Sequence, residues 1–145
     1  TLAMRAGLEA PLLLTGAFLA ATGSWASPRR VLNISSGLGR RAMAGSAAYC
    51  AAKAGMDHFS RAVALEEASR PNGARIVSMA PGVIDTDMQA ELRGADAGAF
   101  PEQARFAALH AQGQLSSAAD SARALLARLH RADFGHEPIA DIRDA

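Results

Sequence analysis

Apolar residues recur with two different periods along this chain, and the alternation between them predicts its elements. Residues 8–22 read Leu-Glu-Ala-Pro-Leu-Leu-Leu-Thr-Gly-Ala-Phe-Leu-Ala-Ala-Thr. They are apolar around most of a helical circumference, which predicts a buried or interface helix with Pro11 in its first turn. A polar break follows, and Val31-Leu-Asn-Ile-Ser-Ser36 then predicts a short strand closed by glycines. Residues 46–69 carry a helical period that puts Met56, Phe59, Val63 and Leu65 inside and Asp57, Arg61, Glu66 and Glu67 outside, with Ser46 as the N-cap. Pro71-Asn-Gly73 stops that helix, and residues 74–80 read as a second buried strand ending at Pro81-Gly82.

Residues 83–115 are irregular, with one amphipathic piece over 101–110. Phe100, Phe106 and Leu109 there form either the inner face of a lid or a plain packing stripe. A third clear helix is predicted over residues 116–131, and Glu137-Pro-Ile-Ala-Asp-Ile142 predicts a last short strand. Helices alternating with short apolar strands imply βαβ units, an α/β fold with a parallel sheet. Ligands of such sheets bind at the carboxyl ends of the strands, where Ser35, Ser36, Pro81, Gly82 and Asp141 would share one rim.

At 145 residues the chain is one domain or part of one, with hydrophobic residues at 50% but aromatic ones at only 5%. Such a chain packs through helices and small-residue contacts. A formal charge of +1, with both signs interspersed, indicates neither a nucleic-acid stripe nor a membrane-binding patch. The single cysteine, Cys50, cannot form an internal disulfide, which points to the cytoplasm, and the four histidines lack ligand spacing, so no metal site is expected. The apolar stretch 10–21 falls short of the roughly 20 residues that span a bilayer. A first residue that is Thr rather than Met raises the expectation that sequence upstream is missing.

Candidate chemistry centres on Tyr49 and Lys53, the only tyrosine and the only lysine, spaced i, i+4 in Ala-Ala-Tyr-Cys-Ala-Ala-Lys-Ala-Gly. On a helix that spacing brings an ammonium to a phenol. Reducing a carbonyl by hydride needs a proton donor at the oxygen, and an unperturbed phenol with a pKa near about 10 is too weak an acid. A neighbouring ammonium favours the phenolate and moves its proton affinity toward working pH. A serine at a strand end, Ser36, would hold the carbonyl oxygen.

With Asn33-Ile-Ser-Ser36, Tyr49-Cys-Ala-Ala-Lys53-Ala-Gly and Ala80-Pro-Gly-Val-Ile-Asp-Thr86 in this order and spacing, the chain resembles the C-terminal part of a short-chain dehydrogenase/reductase. The resemblance implies the C-terminal portion of a Rossmann-like, doubly wound parallel sheet, with the N-terminal dinucleotide-binding half outside this chain. It implies a catalytic set of Ser36, which orients the substrate carbonyl, Tyr49, the acid/base, and Lys53, which lowers the phenol's pKa and holds the nicotinamide ribose. Pro81, Gly82, Ile84 and Thr86 would line the nicotinamide end of the cofactor, NADP(H) ahead of NAD(H). Within the family the chain is similar to the sepiapterin reductase and benzil reductase group, through Ala10-Pro-Leu-Leu-Leu-Thr15, Ala64-Leu-Glu-Glu67, Asp85-Thr-Asp-Met-Gln89 and Ile139-Ala-Asp-Ile142. That likeness puts Asp141 at a substrate-anchoring acid.

Two departures accompany the match. The family's glycine-rich turn has no counterpart here, and Gly7 stands where the family supplies an asparagine that holds a water. Gly37-Leu-Gly39-Arg-Arg-Ala42 fits a dinucleotide fingerprint with Asp57 downstream. Asp57 falls mid-helix rather than at a strand end, so the segment is read as a flexible loop beside the site. Two functions are therefore expected. One is reduction of a ketone or 1,2-dicarbonyl, a small-molecule substrate, by a dimer or tetramer that binds neither nucleic acid nor membrane. The other is a catalytically inactive remnant acting as a dimerising structural subunit.

Overall fold

The computed structural model describes residues 1–82, 103–113 and 115–144. The first element, α1, is a helix of 20 residues, Leu2–Ala21. It starts earlier than the apolar pattern suggests because a π-helical turn, Arg5–Glu9, in which the Ala10 amide bonds to the Arg5 carbonyl, joins its two parts. Pro11 has no N–H and its ring crowds the carbonyl one turn back, so a widened turn just ahead of it keeps the helix continuous. By length and composition alone α1 could cross a bilayer. Its Gly7 and Leu8 pack on Ala52 and Gly55 of the next helix. Between Ala10 and Ala21 only Thr15 is buried, and Leu13 and Leu14 are exposed, so α1 is not the fully buried helix that its composition allows.

Strand β1, Arg30–Ile34, pairs in parallel with β2, Arg75–Ala80, in the register Val31 to Ile76 and Ile34 to Met79. The Ser35 amide extends the ladder by donating to the Met79 carbonyl at 2.8 Å. Strand β3, Ile139–Asp141, pairs in parallel on the other side of β2, Ser78 to Ile139 and Ala80 to Asp141. The three strands thus form the expected parallel sheet in the order β1-β2-β3. Central β2 is buried from Ile76 to Ala80, which explains a continuous apolar run rather than an alternating one. Val77 and Met79 meet Phe134 on one face, with Leu32, Leu125, Leu129, Ala140 and Ile142 packed around them.

Helix α2, Ala47–Ala68, covers the other face. Ser46 precedes it but its side chain makes no capping bond; its carbonyl accepts from the Cys50 amide at 2.8 Å. The buried stripe is Ala52, Met56, Ser60, Val63 and Glu67, with Asp57 beside it. Three positions therefore differ from the sequence-based assignment: Leu65 is 77% exposed, while Asp57 and Glu67 are buried. Both acids are paired and hydrogen-bonded, as buried carboxylates are. The Glu67 carboxylate accepts from the Ala74 amide at 3.0 Å and lies 3.5 Å from the buried Arg29 guanidinium.

The turn after α2 needs its particular residues. Asn72 sits at φ 49°, and a Cβ on Gly73 would fall 1.8 Å from the Glu67 carbonyl oxygen. Of the amphipathic piece, α3 spans Gln103–Ala111; Leu109 is half-buried, and Phe100 lies outside the described residues. Helix α4, Ala118–Leu129, begins with Ser117, whose side chain accepts from the Asp120 amide. Arg30 closes its far end by donating to the carbonyls of Leu129 and Arg131 at 2.6 and 2.8 Å.

Candidate active site at the carboxyl rim of the sheet

The parallel register puts Ser35 and Ser36 after β1, Pro81 and Gly82 after β2, and Asp141 at the end of β3 on one rim. Gly82 turns the chain at φ +79°, a conformation that favours glycine. A Cβ there would touch Ile142 Cγ2 at 3.5 Å, so the Pro81-Gly82 turn lies directly against the end of β3. Ile84 and Thr86 fall outside the described residues.

Ser36 is extended and its Oγ accepts from the Leu38 amide at 3.2 Å, which makes it the N-cap of a 3-10 turn, Gly37–Gly39. A hydroxyl has one proton and two lone pairs, so this bond leaves the O–H able to donate to a carbonyl. Tyr49 and Lys53 lie one turn apart on α2, both half-buried, with the ammonium 5.7 Å from the phenol ring centroid. Lys53 Nζ also donates to the Ile34 carbonyl at 2.8 Å, two residues before Ser36. Burial pushes this ammonium below the ordinary lysine value, and the Asp57 charge pulls it part of the way back.

Asp141 is half-buried and already engaged. Its carboxylate accepts from the Arg143 amide and Nε, each at 2.9 Å, and these bonds hold it below the usual carboxylate range. Any other group binding this carboxylate would have to compete with Arg143. Gly7 faces α2 with no room to spare: a Cβ on it would stand 3.1 Å from the Ala52 Cβ. His58 is exposed and Cys50 is a half-buried free thiol. Trp25 packs edge-on against Phe18 with centroids 6.0 Å apart. Among the described residues no group of three or more His, Cys, Asp or Glu side chains could hold a metal ion.

The Gly37-Leu-Gly39 segment is an ordered turn rather than a flexible loop. A Cβ on Gly39 would lie 2.7 Å from Asp57 Oδ2 and 3.1 Å from the Lys53 carbonyl, so the second glycine is what lets the turn press on α2. The acid downstream of this false fingerprint therefore does touch it, but as a packing partner. Sequence reasoning missed the cluster around that acid, Ser35, Arg40 and Ser78; an aspartate one helical turn beyond Lys53 was the available signal.

Residues 3–97 match the sequence profile of the family described as short chain dehydrogenase. The chain is 41% identical over 127 residues to a benzil reductase ((S)-benzoin forming) of Bacillus cereus, covering 88% of this chain and 51% of that protein. It is 35% identical over 133 residues to sepiapterin reductase of Rattus norvegicus, covering 91% and 48%. The fold superposes on the crystal structure of the KRED1-Pglu enzyme with a TM-score of 0.62 at 29% identity, over 73% of this chain and 45% of that one. A short-chain dehydrogenase from Streptomyces avermitilis superposes with a TM-score of 0.66 over 90% and 48%, a likeness of fold alone at 24% identity. The chain spans about half the length of the curated relatives it matches.

Proposed function

We propose that this chain, which belongs to the short-chain dehydrogenase family, is a single partial domain of that fold carrying the proton-transfer half of a carbonyl reductase. Its substrate is a ketone or a 1,2-dicarbonyl, its coenzyme NADP(H), and its setting the cytoplasm, in keeping with one unpaired cysteine. The observation that carries this reading is the position of Lys53, between the Tyr49 ring and the Ile34 carbonyl just ahead of Ser36.

Ser36 donates its hydroxyl proton to the substrate oxygen and fixes the carbonyl against the rim. Tyr49 delivers a proton to that oxygen as charge builds on it. The Lys53 ammonium stabilises the phenolate left behind. Family membership implies a nicotinamide dinucleotide, and the donors present fit one: the ammonium has three N–H groups, of which the Ile34 carbonyl takes one, and the Gly82 turn offers backbone without a side chain. Lys53 would hold the ribose, with Pro81, Gly82, Ile84 and Thr86 along the nicotinamide. When bound, that group supplies the hydride. Asp141 is proposed as a substrate anchor that must first leave Arg143.

The experiment is NADPH consumption with benzil, run on this chain as it stands and beside it Tyr49→Phe. Turnover that disappears in the variant supports the reading; equal turnover in both would sink it. A second reading, an inactive dimerising subunit, is favoured by Gly7, which has no side chain to hold a water, and by exposed Leu13, Leu14 and Leu65 on adjoining helices. NADPH distinguishes the two by thermal shift. At about 100-fold excess over its dissociation constant it contributes about 2.7 kcal/mol to a chain that binds it, and nothing to one that does not.

A further inference from the structure

The buried Asp57 carboxylate is the hub of the rim. Oδ1 accepts from Ser35 Oγ at 2.7 Å and from Ser78 Oγ at 2.6 Å, while Oδ2 lies 3.3 Å from Arg40 Nε. Ser35 and Arg40 flank Ser36 and its 3-10 turn in sequence, so one carboxylate grips that turn from both ends. Arg40 carries the connection onward, donating to the Ser78 carbonyl at 3.0 Å and the Ala140 carbonyl at 2.9 Å, beside Asp141. Asp57 also lies one helical turn beyond Lys53, on the face where i, i+4 side chains meet.

A buried ionic cluster is a poor route to stability, since apolar residues of equal volume would do as well or better. This interface pays a polar cost elsewhere too: Asn33 Nδ2 and Ser60 Oγ are buried without a partner among the described residues. What the cluster supplies is fixed direction. We infer that Asp57 is a positioning residue of this site: it locks the Ser36 turn through Ser35 and Arg40 and places a counter-charge beside the Lys53 ammonium. The inference rests on the reductase reading for its purpose, not for its geometry.

Among the described residues, the charged and titratable groups around Lys53 are Tyr49 and Asp57 on α2, Arg40 on the turn after β1, and beyond Arg40 Asp141 on β3. Helix α1 meets this part of α2 through Gly7 and Leu8, which do not titrate.

Because Lys53 is the sole lysine, lysine-selective isotope labelling yields one side-chain resonance whose pH titration reports on it alone. Removing the aspartate charge by Asp57→Asn should move its midpoint down. Arg40→Gln, which removes the cation that shares Asp57 with Lys53, should move it up and speed hydrogen exchange at the Leu38 and Gly39 amides. A midpoint unmoved in both folded variants overturns the proposal; should Asp57→Asn fail to fold, an unmoved midpoint in Arg40→Gln does so by itself. With benzil and NADPH, a displaced turn should lower kcat about 10- to 100-fold in either variant with KM little changed. Shifted midpoints in a chain that reduces nothing would leave the positioning role intact and remove the reductase reading. Unshifted midpoints in an active chain would do the reverse.

Discussion

Gly7 and Ala52 meet where α1 crosses α2, so closely that a Cβ on the glycine would stand 3.1 Å from the alanine's Cβ. Gly16, farther along α1, has nothing within 4 Å of such an atom. An alanine in a helix is worth up to about 1 kcal/mol over glycine. Gly16→Ala should therefore gain about that much in urea denaturation. Gly7→Ala should gain nothing, and Gly7→Asn should lose about 1–3 kcal/mol through overpacking. A stabilised Gly7→Asn would show that α1 can yield here.

Glu67 and Arg29 are charges enclosed together, with side chains 2% and 5% exposed. Removing Glu67 leaves the Arg29 charge buried without a carboxylate, held only by the oxygens of Thr22, Asn72 and Leu19. Glu67→Ala should cost about 3–5 kcal/mol, read from the denaturant midpoint. It also frees the Ala74 amide ahead of β2.

Tyr49 and Lys53 should separate by what each loss affects. In a chain that turns over, Tyr49→Phe should lower kcat by about 100-fold or more, as the loss of a general acid does. On the proposed roles, Lys53→Met should lower kcat and also weaken NADPH binding, because the ammonium would serve both purposes. Equal coenzyme affinity in Lys53→Met, measured by fluorescence titration, would confine the lysine to the phenol.

Asp141 should register acid. Arg143 depresses its folded-state pKa, so the pair contributes stability above the unfolded value of about 3.9 and loses it as pH falls through the lower, folded value. Arg143→Gln should bring the carboxyl titration back up, visible in its carbon chemical shift. The accompanying loss of stability should be small, since Arg143 is largely in water.

The strands, the helices and the shared rim were legible because each rests on local periodicity and on glycine or proline breaks. Residues 74–80, for instance, were legible as a buried strand, and Arg75–Ala80 is one. What was not legible depends on contacts between distant segments. Asp57 and Glu67 read as solvated because an acid on a helix usually is; only Ser35, Ser78 and Arg40 for the one, and Arg29 with the Ala74 amide for the other, make them interior residues. Leu65 read as core because it is a large apolar residue on an amphipathic helix, but the stripe through Met56, Ser60, Val63 and Glu67 leaves it outside. The Tyr49 and Lys53 spacing was visible; the Ile34 carbonyl that orients the ammonium was not.

The pairing of Ser78 with Ile139 also bears on the order of events during folding. β1, α2 and β2 succeed one another along the chain and can assemble as one unit, whereas β3 reaches β2 only by closing a somewhat longer segment. Contacts of that separation carry a greater loop-closure entropy and tend to form late. Arg40 finds its Ala140 acceptor, and the Gly82 turn its support at Ile142, only once that closure is complete. The Asp141 side of the rim should thus take shape after the Ser36, Tyr49 and Lys53 side, which the first unit already holds.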